Sequence, residues 1–416
     1  MSVLYSMLVN IAIRHAGKVA LICDNEMVTY AGLLHRVDEK AKLIGRDIRG
    51  VTMPLRTDVE SVVALLACAK RHVCILPIAP DTSIDYQDQL TRDTYTGADM
   101  DNLPYLLLST SGTTGEPKLI ALTQETKVLR AQQFAGLYGV TECDIILVGT
   151  PLHYSMAQRL VFTTLMQGAT ARLLNGYSPE RWVTEARQCS VVVGLPHQLQ
   201  HMPFHDWPLL RISLNTSAPR NGTIAHADCW GTSEIAIATS LQPLTATTKD
   251  SDVGVPASGV LIRIEDDGEI AVKTPLLFSG YFKRPDLTAQ AMTADGYFLT
   301  GDAGMLDEDG ELHLLGRLND VIKVGGVKVY PEEVERVVGG MTGVIECAAV
   351  GMPDDKLGEQ VKVVIVMRIE TRPPTLRQIQ HTCVGWLTPS AMPRSVEYVD
   401  KLPRTANGKL LRRALK

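Results

Sequence analysis

Apolar and polar positions alternate with two periods along the first half of the chain, and these periods predict strands and helices in turn. Short continuous apolar runs predict buried strands, whereas apolar residues three or four positions apart predict amphipathic helices. Helices are predicted at residues 1–17, 59–69, 157–166 and 179–188, and strands at 73–78, 105–108, 145–148, 171–174 and 191–193. Residues 27–43 predict a short strand and then a helix, and the polar residues 81–102 predict a loop. The alternation favours a mostly parallel sheet with helices on both faces.

The pattern changes at Val253, after which short apolar segments are separated by turn residues. Strands are predicted at 260–265, 269–273 and 311–315, so we expect a β-rich subdomain built from hairpins. Farther along, helices at 331–338 and 375–386 and strands at 344–350, 361–367 and 396–399 predict a compact α+β unit. Glycines and charges at 316–326 predict a hinge. We therefore expect an α/β fold with a large N-terminal domain at 1–316, a hinge at 317–322 and a small domain at 323–416.

The composition is that of a globular protein with a sizeable core. The 416 residues are 45% hydrophobic and carry a net charge of −5, which allows two or three domains and indicates no nucleic-acid or membrane partner. Residues 1–17 place their positive charges late, which favours a helix over a signal peptide. The 8 cysteines form no C-x-x-C pair, which predicts reduced thiols and a cytoplasmic location.

A stretch rich in serine, threonine and glycine, residues 109–118, follows the predicted strand at 105–108 and precedes a helix predicted to end near Tyr138. Its glycines allow backbone N–H groups to converge on an anion, and Lys118 adds a positive charge suited to a polyphosphate. The spacing is not that of the common P-loop. Taken alone, the stretch is either a polar surface turn or a phosphate-binding loop.

Four further stretches contain residues suited to catalysis or nucleotide binding, at 230–234, 297–302, 316–320 and 402–409. The first places Glu234 after a tight turn, and the second ends a predicted strand at the carboxylate of Asp302. Taken alone, each stretch is better explained as a solvated loop acid or a charged tail than as a functional site. Together and in this order, the five stretches resemble the adenylate-forming superfamily, which contains acyl-CoA synthetases, adenylation domains and luciferases. The resemblance extends from about Val28 to Lys409.

The resemblance implies ATP and Mg²⁺ as cofactors and a role for each matched residue. The β- and γ-phosphates would be bound by Ser111, Thr113, Thr114 and Lys118. Adenine would pack between Trp230 and the segment containing Ser217, Ala218 and Pro219, with Asp228 accepting from its amino group. Ser233 would contact the α-phosphate, and Glu234 would bind Mg²⁺. Asp302 would bind the ribose hydroxyls, and Arg317 would lie near the ribose or the phosphates.

In this family a carboxylic acid attacks the α-phosphate of ATP, and a thiol then attacks the acyl-adenylate. Cations lower the repulsion between the two anions, so the resemblance implies catalytic roles for Mg²⁺ on Glu234 and for Lys409. A mobile C-terminal domain would then turn at the hinge around Asn319. This movement would withdraw Lys409 and bring Gly325 and Gly326 to the phosphopantetheine arm of CoA or of an acyl carrier protein.

The identity of the acid is left open by the sequence. His153, Tyr154, Gly194, Leu195 and Pro196 correspond to the acid pocket, where His153 is either a gate or a hydrogen-bonded wall residue. Tyr154 stands where amino-acid-activating relatives have an aspartate, which argues against an α-amino acid without excluding it. The Pro-Leu-x-His pattern ending at His153 is more like acyl- or aryl-CoA ligases.

The chain also departs from the family pattern, and these departures keep other functions open. Little separates Pro80 from Ser109, and the usual helix between Pro219 and Trp230 is nearly absent. Asn319 replaces the usual hinge aspartate, and Ser233 replaces a threonine. The loss of these peripheral elements would expose apolar surface, which a partner protein or a second copy in a homodimer would cover. A non-catalytic nucleotide-binding protein on the same fold is the main alternative; a hydrolase is not supported, because no G-x-S-x-G elbow is present.

Overall fold

The computed structural model describes residues 2–100, 102–110, 118–194, 207, 209–210, 212–214, 225–241, 253–404 and 410–416. For residues 110, 212–214, 225, 226, 228 and 241 the description covers the backbone alone. The helices of this part of the chain, labelled α1 to α10, are Val3–Arg14, Tyr30–Leu43, Val59–Arg71, Ile84–Tyr95, Gln124–Tyr138, Ser155–Gln167, Pro179–Ala186, Pro285–Gln290, Pro331–Gly339 and Leu376–Cys383.

The strands of the described residues are labelled β1 to β23. Those of the first half are Val19–Cys23, Glu26–Thr29, Gly50–Pro54, Cys74–Ile78, Leu106–Thr110, Lys118–Leu122, Ile145–Val148, Thr170–Leu173, Val191–Val193 and Ile212–Leu214. The others are Ala225–Thr232, Ala236–Leu241, Val255–Pro256, Leu261–Ile264, Glu269–Lys273, Gly280–Tyr281, Phe298–Leu306, Leu312–Arg317, Ile322–Val324, Val327–Val329, Val344–Asp354, Gly358–Met367 and Ser395–Tyr398.

The largest sheet has nine strands in the order β13-β12-β11-β10-β9-β7-β8-β1-β2. Its pairs from β11 through β1 are parallel, and antiparallel pairs occur only at the two ends. The strand Val191–Val193 is wholly buried, as expected for a parallel strand covered on both faces. The helix α5 begins where the Thr123 side chain accepts from the Thr126 N–H, and it ends at Gly139, whose φ is +58°.

A second sheet has the order β16-β6-β5-β4-β3 and contains the strands on either side of the predicted phosphate-binding stretch. The strands β5 and β6 are antiparallel, with Thr110 directly opposite Lys118. The strand β16 adds to the far edge of β6, where Tyr281 pairs with Ile120. The sheet therefore holds Lys118 and Tyr281 on neighbouring strands.

The chain divides into two compact units, Met1–Ile262 with Val272–Phe298, and Arg263–Ala271 with Leu299–Lys416. The second unit contains most of a four-stranded sheet, β14-β15-β17-β18, and a sheet in which β20, β19, β22 and β21 follow one another and β23 joins β22. Its core packs Val334 and Val338 of α9 against Val363 of β22. The hinge at 317–322 remains a prediction; its residues form a 3₁₀ turn, Leu318–Asp320, and the start of β19.

The α/β fold class is confirmed, but several local predictions are wrong. Residues 84–95, expected in a loop, form α4, because Ser83 caps a polar helix of which only Thr94 and Tyr95 are buried. The segment after the phosphate-binding stretch is the strand β6 before it is a helix. Asp302 lies inside β17 and does not end it. The helix α10 stops at Cys383, short of the predicted 386.

No helix of the described residues has both the length and the apolar character needed to cross a membrane.

Candidate active site

Glu234 lies in the turn between the antiparallel strands β11 and β12. A Cβ at Gly231 would lie 1.8 Å from the Ala236 carbonyl oxygen, so only glycine fits at that position. Ala236 itself has a φ of +66°, a conformation that residues with a side chain rarely adopt. The tight turn predicted from the sequence is therefore present, and it holds Ser233 and Glu234 at its tip.

A buried arginine fixes the backbone of this turn. The Arg130 guanidinium, from α5, is 1% exposed and donates to the carbonyl oxygens of Ser233 at 2.8 Å and Glu234 at 2.7 Å. It also donates to the Leu276 carbonyl oxygen at 2.8 Å, and the Phe278 N–H donates to the same Glu234 oxygen. Burial lowers the pKa of Arg130, but a guanidinium remains charged at neutral pH. The turn is thus held by a cation bound to neutral carbonyls.

A tyrosine orients the side chain of Glu234. The Tyr281 hydroxyl donates to Oε1 of Glu234 at 3.0 Å. Burial, and then the Glu234 charge, raise the pKa of Tyr281, so the hydroxyl keeps its proton. The Nζ of Lys118 lies 5.0 Å from the centroid of the Tyr281 ring. Glu234 and Lys118, predicted from separate motifs, are therefore brought to the same tyrosine.

Two more buried basic side chains lie near Arg130. Lys127, on the same helix, is 2% exposed, and its Nζ donates to Oε1 of Gln158 at 3.0 Å. Burial, followed by the charges of Arg130 and Arg159, lowers the pKa of Lys127. Arg159 of α6 is 6% exposed. Of these three basic side chains, Arg130 is the one recorded in contact with the Glu234 turn.

Glu234 fits a Mg²⁺ ion that is bound together with a nucleotide. Within the described residues, Oε1 accepts from Tyr281 and no protein donor is recorded on Oε2. No cluster of three or more acidic, histidine or cysteine ligands occurs among those residues. Mg²⁺ commonly takes one or two carboxylates, phosphate oxygens and water, and rarely a cage made of protein alone. A single carboxylate with one available oxygen meets that requirement.

In the second unit, Asp302 and Arg317 form a cross-strand ion pair. They face each other on β17 and β18, and the Arg317 Nε lies 2.7 Å from Oδ1 of Asp302. Asp302 is 7% exposed, and its N–H donates to Oγ1 of Thr300. The two residues that the resemblance assigns to the ribose region are thus adjacent, in a geometry set by strand register.

Of the residues predicted for the acid pocket, His153 and Tyr154 directly precede α6 and Gly194 directly follows β9. The rings of His153 and Tyr154 lie 4.2 Å apart, and Gly194 is buried directly after β9. Nδ1 of His153 is buried and has no hydrogen-bond partner in the described part of the chain. Burial lowers the pKa of His153, so the ring is neutral at pH 7. Both interpretations of His153, as a gate and as a wall residue, stay open.

The remaining predicted residues divide into those with a described position and those without. Gly325 and Gly326 form the two-residue turn between β19 and β20, with φ of +59° and +83°. Asn319 lies in the 3₁₀ turn, and Trp230 is buried on β11. Asp228 lies on β11, but only its backbone is described. Outside the described residues lie Ser111, Thr113, Thr114, Leu195, Pro196, Ser217, Ala218, Pro219 and Lys409.

Sequence reasoning missed Arg130 and Tyr281. A signal for the first was available, because Lys127 and Arg130 lie three positions apart among the buried residues of α5. Cations at core-facing positions of a helix are unusual without a partner. Tyr281 gave no comparable signal, since its partner Glu234 is 47 positions away.

Comparison with known proteins identifies the family. The model of the AMP-binding enzyme family matches residues 85–282, and that of the AMP-binding enzyme C-terminal domain matches residues 333–409. The long-chain-fatty-acid–CoA ligase FadD13 of Mycobacterium tuberculosis is 29% identical over 343 residues, which are 76% of this chain and 67% of that protein. A feruloyl-CoA synthase of an Amycolatopsis species is 31% identical over 339 residues, 74% of this chain and 68% of that protein.

Comparison with solved structures shows the same kind of fold in another protein. The structure of ATP-bound MatB from Rhodopseudomonas palustris is superposable on this chain with a TM-score of 0.86 and 24% identity, covering 99% of this chain and 98% of that one. The predictions of an adenylate-forming fold and of an AMP-forming ligase are confirmed by these matches. The chain belongs to the AMP-binding enzyme family, the adenylate-forming ligases that activate a carboxylic acid with ATP.

Proposed function

We propose that this chain joins a carboxylic acid to ATP as an acyl-adenylate, releases pyrophosphate, and transfers the acyl group to a phosphopantetheine thiol. The observation that carries the proposal is the Glu234 turn. Its backbone is fixed by Arg130 and its carboxylate by Tyr281, and the same tyrosine ring lies beneath Lys118. An acid suited to Mg²⁺ and a lysine suited to phosphate thus share one support.

The first half-reaction is limited mainly by charge. A carboxylate oxygen attacks the α-phosphorus of ATP, the bond to the bridging oxygen breaks, and pyrophosphate leaves. Both reactants are anions, so fixed positive groups lower the barrier, and each such contact is worth about 3 kcal/mol. Mg²⁺ bound to Glu234 would neutralise phosphate charge. Lys118 would bind the β- and γ-phosphates, Ser233 would contact the α-phosphate, and Lys409 would act on the reacting oxygens.

Further residues are proposed to bind the ribose and the adenine of ATP. Asp302, held by Arg317, supplies a carboxylate for the ribose hydroxyls, an acceptor that suits two neighbouring hydroxyl donors. Trp230 and the residues 217–219 would pack against adenine, with Asp228 accepting from the amino group. Ser111, Thr113 and Thr114 would complete the phosphate site.

The thiol acceptor we propose is CoA, with an acyl carrier protein as the alternative that presents the same arm. The curated relatives are named as CoA ligase and CoA synthase, which supports CoA. In the hinge movement proposed around Asn319, the turn at Gly325 and Gly326 would line the arm. A Cβ at Gly326 meets nothing within 4 Å, so the turn leaves room for it.

The acid we propose is an aliphatic or aryl acid without an α-amino group. Tyr154 stands where an ammonium-binding aspartate would be needed, and the neutral ring of His153 adds no charge to the pocket. The two relatives named above act on a long-chain fatty acid and on ferulate, which spans both classes. The eight free cysteines support a reducing, cytoplasmic setting.

Acid-dependent exchange of labelled pyrophosphate into ATP tests the proposal. Purified protein is assayed with Mg²⁺ and a panel of aliphatic, hydroxy, aryl and amino acids. We expect exchange with at least one aliphatic or aryl acid and none without acid. Nucleotide binding without exchange for any acid would favour the non-catalytic alternative, and exchange confined to amino acids would overturn the substrate class.

A further inference from the structure

Tyr281 connects two functional groups that lie far apart in the sequence. It belongs to the two-residue strand β16, which pairs with β6, the strand that begins at Lys118. Its N–H donates to Oγ1 of Thr288 at 2.9 Å, and its ring packs edge-on against Phe278 at 4.9 Å. The side chain is 7% exposed, so backbone and ring are both fixed.

The two ends of this side chain act on opposite charges. The hydroxyl donates to Oε1 of Glu234 and so selects which carboxylate oxygen is left for a cation. The ring face is electron-rich and attracts the Lys118 ammonium at 5.0 Å. The rigid side chain of Tyr281 therefore sets the orientation of both Glu234 and Lys118, which belong to the same compact unit.

We propose that Tyr281 is a positioning residue that orients Glu234 toward Mg²⁺ and Lys118 toward the same polyphosphate. The inference rests on the proposed function, from which it takes the binding of Mg²⁺ by Glu234 and of phosphate by Lys118. In this proposal Tyr281 contacts neither the carboxylic acid substrate nor the nucleotide. It acts through Glu234 and Lys118. Its hydroxyl and its ring make separable contributions, and two substitutions distinguish them.

Tyr281→Phe removes the hydroxyl and keeps the ring. Loss of a hydrogen bond to a metal ligand typically weakens metal binding by about 10- to 100-fold. We expect the affinity for Mn²⁺, used as a paramagnetic probe for Mg²⁺ in the presence of a non-hydrolysable ATP analogue, to fall by at least about 10-fold. The affinity for the same analogue in EDTA should stay within about two-fold of wild type, because the lysine keeps its aromatic support.

Tyr281→Leu removes the ring as well. We expect the metal-free analogue to bind a further three-fold or so more weakly, in line with a partly exposed cation–π contact. In the Tyr281→Leu background, Lys118→Met should then cost less analogue affinity than it does in wild type, since the two groups act together. Equal costs in the two backgrounds would refute the link between the ring and the lysine.

A matched control separates positioning from general destabilisation. Tyr30→Phe removes another buried hydroxyl of the same unit, one that donates to the Ala169 carbonyl oxygen at 2.6 Å. We expect it to lower the melting temperature and leave Mn²⁺ affinity unchanged. Wild-type Mn²⁺ affinity in Tyr281→Phe, or an equal loss in Tyr30→Phe, would overturn the inference.

The inference and the proposed function fail in different ways. If wild type shows no acid-dependent exchange but Tyr281→Phe still weakens Mn²⁺ binding, the proposed function is wrong and the positioning role stands. If exchange occurs and Mn²⁺ binding is unaffected by Tyr281→Phe, only the positioning role is wrong.

Discussion

Two arginines, the buried Arg130 and the partly buried Arg412, one in each compact unit, are held mainly by different kinds of partner. Arg130 binds three neutral carbonyl oxygens around the Glu234 turn. Arg412 binds the carboxylates of Glu335, Glu332 at 3.1 Å and Asp320 at 3.5 Å, and it also donates to the Ala349 carbonyl oxygen at 3.1 Å. Burial lowers the pKa of Arg130; at Arg412 burial opposes the charge as well, but Glu335 and the other acids outweigh it and raise the pKa.

The difference shows two ways to fix a segment that contains or adjoins a proposed catalytic residue. Carbonyl partners define the positions of three backbone oxygens, which suits a turn that must hold one carboxylate in place. Carboxylate partners join separate segments by charge: Arg412 ties the C-terminal tail to α9 and to the 3₁₀ turn at Leu318–Asp320. That tail follows the predicted catalytic Lys409. Salt should therefore affect the second region and spare the first.

The largest expected effect is at Arg130. Arg130→Met leaves buried carbonyl oxygens without a donor, so we expect about 3 kcal/mol of lost stability and at least about 100-fold less pyrophosphate exchange. Arg130→Lys should recover part of the stability, since one ammonium cannot reach all three oxygens. Thermal unfolding and the exchange assay measure both effects.

Arg159→Met is the control for this substitution, because it removes a comparably buried cation of the same unit. We expect a loss of stability with exchange reduced less than 10-fold. If the two variants lose exchange equally, the clamp on the Glu234 turn is not what the reaction depends on.

A smaller effect is expected at Arg412. Arg412→Gln breaks a partly buried cluster and should cost about 2 kcal/mol, measured by urea unfolding. The cost should shrink between low and high salt, whereas the cost of Arg130→Met should not. Arg404→Gln, which removes an exposed pair with Glu346, should stay within about 0.5 kcal/mol. If the stability losses of Arg130→Met and Arg412→Gln depended on salt to the same extent, the proposed difference between the two arginines would be wrong.

At Gly326 we expect a smaller loss of stability than at Arg412. Gly326→Val places a side chain at a φ of +83°, which costs about 1–2 kcal/mol. Gly310→Val carries the same strain at +79°, also with nothing within 4 Å of its Cβ. Only the first should slow thioester formation from preformed acyl-adenylate, and both should retain exchange. Equal thioester rates would contradict the proposed passage of the arm.

Much of the fold was predictable because apolar periodicity is local. The strand Val191–Val193 and the helix that begins at Pro331 follow directly from it. The helix α4 was missed because it is polar and buries only its last turn. Motifs indicated Glu234 and Asp302 as candidate site residues, whereas the residues that Arg130 contacts lie 103, 104 and 146 positions away. Such pairings depend on the tertiary fold, which no local pattern encodes.

The most direct test of the central claim is Glu234→Gln in the exchange assay. The substitution keeps an oxygen acceptor for the Tyr281 hydroxyl and removes only the charge, so the melting temperature should be nearly unchanged. At a Mg²⁺ concentration that saturates wild type, we predict that acid-dependent exchange falls by at least about 100-fold. Wild-type exchange in this variant would contradict the account.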